Sequence, residues 1–244
     1  MSSVLLHNIA VAVAARLGEL QDWVYHSPVR EMKRRALAES CDYIEANMPE
    51  AIGLQNQAAC LRFGLSKVGP VPGAYMEFGV HRGATIRIIG ACAGKERRVH
   101  GFDSFEGLPT DWFGNTLKAG DFDVGGKLPR VHSNTTLYKG WFDATLPAWC
   151  ESHEDKVAFL NIDSDLYSSA KLVLNCLKDR LQAGTVIHFD EYINYPGWRH
   201  HEFRAWAEFV KAYDIKYTYL AYSRWGVLLR IDQIGPESEI GAAP

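Results

Sequence analysis

Ala74-Tyr75-Met76-Glu77-Phe78-Gly79-Val80-His81-Arg82-Gly83-Ala84-Thr85 passes from a short apolar run through two glycines into a segment with helical periodicity. A strand that turns through small residues into a helix lets a ligand approach the backbone closely at the helix start. The spacing is Glu-x-Gly-x-x-x-Gly, not the Gly-x-Gly-x-x-Gly of a dinucleotide fingerprint. An acid just before the first glycine repels a pyrophosphate and suits a ligand with a positively charged amino acid end. The alternative is that Gly79 and Gly83 only permit a tight turn.

Outward from this stretch, apolar strand candidates alternate with helical ones. A helix is expected over 84–93, strands over 98–102 and 156–162, a helix over 168–181, a strand over 185–189 and a helix over 198–213. Such alternation predicts right-handed βαβ units and a mostly parallel sheet. The last two strand candidates, 217–222 and 225–231, are joined by Ser223-Arg224 alone. That link is too short for a crossover, so this pair must run antiparallel. Residues 111–134 are rich in glycine and charge without a steady period, and a long mobile loop of the kind that often acts as a lid is expected there.

Upstream, apolar residues recur at three- and four-residue spacing between Val4 and Val68, and several helices are expected with no obvious strand. Val68-Gly69-Pro70-Val71-Pro72-Gly73 separates them from the core. The expected organisation is a helical extension over 1–72, a core over 73–234 and a frayed tail over 235–244. The run from Val4 to Leu17 reads as a docking helix, because it lacks a basic leader and is too short to span a bilayer. The excess apolar surface of the extension predicts a homo-oligomer.

With 23% charged and 47% hydrophobic residues, the 244-residue chain can bury a sizeable core. A net charge of -3 without a basic stripe argues against nucleic acid as a partner. Five cysteines without a Cys-x-x-Cys pair argue against a disulfide framework or a structural zinc, and fit a cytoplasmic protein.

Three further strand ends carry chemistry. Gly101-Phe102-Asp103-Ser104-Phe105-Glu106-Gly107 ends the second strand with an acid placed to accept hydrogen bonds from ribose hydroxyls, or else to cap the next helix. Asn161-Ile162-Asp163-Ser164-Asp165-Leu166-Tyr167 and His188-Phe189-Asp190-Glu191-Tyr192 each close an apolar run, and together they gather four carboxylates. Buried strands ending in acids open into the crevice where α/β proteins place ligands. If Asp163 and Asp165 continue the strand, alternation by two puts both on one face. An all-oxygen set without a cysteine or histidine cluster selects a hard ion such as magnesium over zinc. Magnesium prefers six oxygens, so three carboxylates would leave room for two neighbouring substrate oxygens and a water, which favours a vicinal diol or catechol. The competing reading is that these acids cap helices.

Tyr75-Met76-Glu77-Phe78-Gly79-Val80, Gly101 to Pro109, Ile162 to Tyr167 and Phe189-Asp190-Glu191-Tyr192 together resemble the macrocin-type O-methyltransferases, in the right order over roughly residues 73–231. The resemblance implies a class I, Rossmann-like α/β fold with a seven-stranded, mostly parallel sheet whose last strand is antiparallel. It also implies S-adenosylmethionine and magnesium as cofactors, and a small-molecule hydroxyl acceptor such as a sugar on a natural product. By that likeness Asp163, Asp190 and Glu191 are the metal ligands and Asp165 is the general base. The implied cofactor-binding set is Glu77 and Gly79 at the amino acid end, Gly83 in the same turn, Asp103 and Ser104 at ribose, and Asp143 towards adenine. One departure is Glu191, where the family usually has a second aspartate. Its extra methylene either reaches the ion from a displaced backbone or leaves the coordination sphere for a nearby basic residue, in which case the site is weaker or recruits Asn194.

The remaining candidates read as structural. His81 is expected to hydrogen-bond locally, His188 to be a neutral core histidine, and Trp198, Phe203, Trp206, Phe209 and Tyr213 to be core packing at helical spacing. Asp143 is equally well read as a turn aspartate. Two other functions remain on sequence grounds: a hydrolase in which the acids activate a water, which has no use for Glu77 and Asp103, and a non-catalytic binding module.

Overall fold

The computed structural model describes residues 3–235; the expected frayed tail lies, apart from Gly235, outside the described residues. In chain order the elements are α1 (Ser3–His26), α2 (Pro28–Asn47), β1 (Ile52–Gly53), α3 (Gln57–Lys67), β2 (Ala74–Phe78), α4 (Ala84–Ala93), β3 (Val99–Asp103), β4 (Thr135–Lys139), α5 (Phe142–Ser152), β5 (Val157–Ile162), α6 (Tyr167–Cys176), β6 (Val186–Phe189), α7 (Glu202–Ala212), β7 (Lys216–Tyr222) and β8 (Val227–Gln233). They build one sheet in the order β1-β7-β8-β6-β5-β2-β3-β4. β8 is antiparallel to both of its neighbours and every other pairing is parallel, as the short β7–β8 link requires.

The sheet has eight strands, one more than expected. The extra strand is β1, whose Ile52 and Gly53 pair in parallel with Ala221 and Tyr222. Two exposed residues have no hydrophobic period to reveal them. Two helices are also shorter than their periodicity. α6 stops at Cys176, yet Leu177 and Leu181 stay buried in the turns that follow, so the apolar spacing outlasts the helix. The 198–213 segment is a 3-10 turn, Trp198–His200, and then α7, separated by His201 at φ -112 and ψ -124. Residues 111–134 contain no helix or strand.

The core lies on both faces of the sheet. On one face α3 and α4 bury Cys60, Leu61, Leu65, Ile86 and Ile89 against Phe159 and Leu228. On the other, α5, α6 and α7 bury Trp149, Leu174, Trp206 and Phe209 against Met76, Leu160 and Ile187, and α2 adds Ala36. The aromatic stripe read as packing is packing: Trp198, Trp206 and Phe209 are buried. α1 stands apart, with Leu5, Ile9, Val11, Val13 and Leu17 exposed. No helix among the described residues is long and apolar enough to cross a membrane.

Every residue of β5 is buried, the pattern of a strand covered on both faces. Its one polar member, Asn161, is in register with Glu77 on β2 and His188 on β6. The Asn161 amide donates to Glu77 Oε1 at 3.0 Å, and its carbonyl oxygen lies 2.7 Å from His188 Nδ1. His188 is thus the neutral core histidine expected, its pKa pushed down to about 3 by burial.

Candidate functional site

The carboxyl ends of β2, β3, β5 and β6 open into a cavity of about 620 Å³, a volume typical of small-molecule sites. Gly79, His81, Asp103, Ser104 and Asp143 line one part of it, and Asp163, Asp165 and Glu191 another. The sequence candidates therefore converge, with three exceptions. Glu77 is fully buried and lies beneath the floor, and neither Gly83 nor Asp190 lines the cavity.

The glycine turn is held by backbone constraints. Gly79 has φ +96, and a Cβ there would sit inside the van der Waals radius of the Asp163 carbonyl oxygen. Gly83, at φ +77, caps the start of α4 in the left-handed region. His81, at φ 47, donates its backbone N–H to Asp103 Oδ2 at 2.6 Å, and Phe105 donates its own to Oδ1 at 2.6 Å. Asp103 is thus a staple between the glycine turn and the loop after β3, with carboxylate lone pairs left over for a ligand. Ser104 Oγ accepts from Glu106 N at 3.1 Å. Asp143 lies in the first turn of α5, not in an isolated turn.

At the other end, carboxylate oxygens of Asp163, Asp165 and Glu191 lie within 4.8 Å of one another. The geometry gathers Asp165 with Asp163 and Glu191, while Asp190 sits beside this trio against Gln57 and Glu191. Asp165 occupies the left-handed region at φ 60, the turn that carries the chain from β5 into α6. Gln57 Nε2 donates to Asp163 Oδ2 at 3.1 Å. Glu191 Oε2 is buried with no hydrogen-bond partner among the described residues. Burial first, and then repulsion from neighbouring acids, raises three of them: Asp165 to about 7, and Asp163 and Glu191 well above the usual carboxylate range. Asp190 is raised by burial, against hydrogen bonds with Glu191 and Gln57 that lower it. Desolvated like charges with an orphaned oxygen fit a cation, which would draw these groups back down.

Sequence reading missed two members. Gln57 begins α3, where nothing in the sequence marks it. Glu202, fully buried at the start of α7, accepts backbone N–H bonds from Ser164 at 3.3 Å and from Glu191 at 3.1 Å. A signal for Glu202 exists: it stands midway between Trp198 and Trp206 at four-residue spacing, a lone acid on an apolar face.

The raised acids carry a consequence for stability without metal. Asp165 moves from 3.8 to about 7 and Glu77, through burial, from 4.5 to about 8, so between those limits the folded chain holds protons that the unfolded chain has lost. Their favourable contribution is complete below about pH 4 and disappears as pH rises through 7 and 8. In chelator-treated protein, Tm should fall between pH 6 and pH 9. A net loss of ~2 kcal/mol lowers it by about 4–8 °C, and millimolar Mg2+ should remove the part that comes from Asp165 while leaving the part that comes from Glu77. A flat profile in calorimetry without Mg2+, or a fall that Mg2+ leaves unchanged, contradicts this.

Comparison with known proteins agrees with this architecture. Residues 76–192 match the family described as methyltransferase domain. A curated relative from Streptomyces olivaceus, 8-demethyl-8-(2,3-dimethoxy-alpha-L-rhamnosyl)-tetracenomycin-C 4'-O-methyltransferase, is 30% identical over 145 residues, which is 50% of this chain. The match spans about half, 54%, of that relative's length. Among solved structures, the calicheamicin methyltransferase CalS11 superposes with a TM-score of 0.61 at 23% identity, covering 84% of this chain and 94% of that one. The O-methyltransferase NovP gives 0.57 at 22% identity, covering 72% and 80%. The fold is the class I methyltransferase fold.

Proposed function

We propose that this chain, with its methyltransferase domain over 76–192, is an S-adenosylmethionine-dependent, divalent-metal-dependent O-methyltransferase of macrocin type, acting on one hydroxyl of a vicinal diol in a sugar-like natural-product acceptor. The observation that carries the reading is a single cavity joining the Gly79 turn and Asp103 to the carboxylates of Asp163, Asp165 and Glu191. The relative's printed activity, 4'-O-methylation of a 2,3-dimethoxyrhamnosyl group, supports a sugar acceptor; the oxygen beside its reacting hydroxyl is a methoxy, so the diol rests on the carboxylate site alone.

S-adenosylmethionine, when bound, supplies a methyl group on a sulfonium that departs as a neutral thioether. A magnesium-like cation, when bound, supplies electrostatic stabilisation to an oxygen that is losing its proton. The chain does the rest. Gly79, without a Cβ, lets the amino acid end approach, and the Glu77 carboxyl beneath it contributes to the field there. Asp103 and Ser104 bind ribose through their free lone pairs, and Asp143 with Trp141 and Phe142 lines the adenine side. Asp163 and Glu191 hold the cation, with Asp190 as the third acid. Asp165 accepts the hydroxyl proton at a carboxylate oxygen as the acceptor oxygen takes the methyl in line. Leu108, Pro109, Phe122 and Trp225 give the cavity an apolar side. The exposed apolar residues of α1 support a homo-oligomer.

Calorimetric titration with S-adenosylmethionine, with and without Mg2+, followed by mass spectrometry of a rhamnoside offered as acceptor, tests the reading. Cofactor binding and a Mg2+-dependent gain of one methyl are expected. Absence of cofactor binding would return the acids to water activation, and binding without methylation of any diol would leave a ligand-binding module.

A further inference from the structure

Glu202 is a carboxyl group in a place where carboxyls are costly. It is fully buried, does not line the cavity, and has its pKa raised well above the usual range by desolvation. Its chain position explains the burial: Glu202 opens α7 on the face that carries Trp198 and Trp206 into the core. What offsets part of the cost is a pair of hydrogen bonds from two different loops. Ser164 N–H, between Asp163 and Asp165, reaches Oε1, and Glu191 N–H reaches Oε2. The two donors lie 27 residues apart in sequence, just past the ends of β5 and β6, and the Glu202 carboxylate accepts from both amides.

The next residue back extends the same junction. His201 is buried, and its Nε2 accepts the indole N–H of Trp112 at 3.3 Å, while its ring also hydrogen-bonds the backbone at Phe113. Trp112 belongs to the irregular 111–134 loop and packs with Leu108 and Leu166. The dipeptide His201-Glu202 thus fastens three loops of the site to the start of one rigid helix.

We infer that Glu202 is a positioning residue for the cation site: one carboxyl group sets the separation of the loop carrying Asp163 and Asp165 from the loop carrying Glu191. This rests on the function proposed above. Glu202 touches no reacting atom; it acts through the two backbones. Its two oxygens serve two amides, so both acceptors are needed at once. Gln has nearly the same shape but only one acceptor, and its NH2 turns a donor towards the second amide. Groups behind metal ligands are worth about 10–100-fold in metal affinity.

Glu202→Gln is therefore expected to raise the Mn2+ dissociation constant, read by electron paramagnetic resonance of free Mn2+, by about 10–100-fold. Its affinity for S-adenosylhomocysteine, read by calorimetry, should stay within about twofold, because the Gly79 turn and the loop after β3 are held by the hydrogen bonds of His81 and Phe105 to Asp103 and not by Glu202. A purely structural role would move Tm and leave the Mn2+ constant alone. If Glu202→Gln fails to fold, Glu202→Asp keeps the acid but withdraws it by one methylene, and the same split between Mn2+ and S-adenosylhomocysteine is expected. Wild-type protein that binds Mn2+ beside a folded variant that binds it equally overturns the inference alone. Wild-type protein that binds no divalent ion overturns the proposed function, and this inference with it.

Discussion

Asp165→Asn is expected to lower turnover by about 10²–10⁴-fold, the usual range for losing a general base, while S-adenosylhomocysteine and Mn2+ still bind. The substitution is a clean one for a backbone reason. Asp165 sits at φ 60, in the left-handed region where Asn and Asp are several-fold enriched and β-branched or bulky side chains are strained. Asn therefore keeps the turn from β5 into α6 and removes only the ability to take a proton. Ala would confuse the test by altering the turn as well. Single-turnover methylation by mass spectrometry gives the chemical step, and calorimetry gives the two affinities. Turnover within about threefold of wild type would remove Asp165 as the base. Loss of Mn2+ binding in step with activity would instead make it a ligand, the alternative raised by its place among the three oxygens within 4.8 Å.

Gly79→Ala is the second large effect, and it acts on structure. The positive φ disfavours any side chain, and the added Cβ points at backbone, the Asp163 carbonyl oxygen, not at a side chain that could swing away. Strain of this kind with a core clash amounts to something on the order of 3–5 kcal/mol. At about 2–4 °C per kcal/mol that lowers Tm by roughly 10 °C. The displaced atom belongs to the loop that carries Asp163 and Asp165, so Mn2+ binding should weaken together with cofactor binding. A variant with wild-type Tm and affinities would contradict the packing described. Gly83 offers a comparison: the nearest atoms to its Cβ are the end of the Arg87 side chain and a ring carbon of Pro129, so Ala there meets the strain of φ +77 without a backbone collision.

Most of the fold could be read from apolar runs that end in acids or glycine. Strands β2, β3, β5 and β6 are short, buried and punctuated by Gly79, Asp103, Asp163 and Asp190, and the Ser223-Arg224 link made the antiparallel ending unavoidable. β1 was not legible because Ile52 and Gly53 are exposed and take their strand character from pairing with β7, a long-range fact. In the site, residue types and order gave the acids and glycines that converge on one cavity. They did not give depth. Glu77 carries the right chemistry but lies under the floor, since a strand residue two before Gly79 is within the sheet and not at its tip. Nor did they give Asp103 its two backbone donors, which depend on the loop folding back. Glu202 passed as part of an aromatic run because periodicity marks apolar members and skips the polar one among them.

α2 is joined to the loop after β6 more closely than its place in the chain suggests. Asn194 donates its backbone N–H to Ser40 Oγ at 2.8 Å, and the hydroxyls of Tyr43 and Tyr192 both meet that of Tyr219, at 2.7 and 2.8 Å. Glu191 stands only three residues before Asn194. Recombination that exchanged the N-terminal helices between relatives would thus not be a swap of passive covering: it would reset the footing of an acid at the centre of the cavity, so inheritance of new helices and retention of that acid's posture have to be selected together.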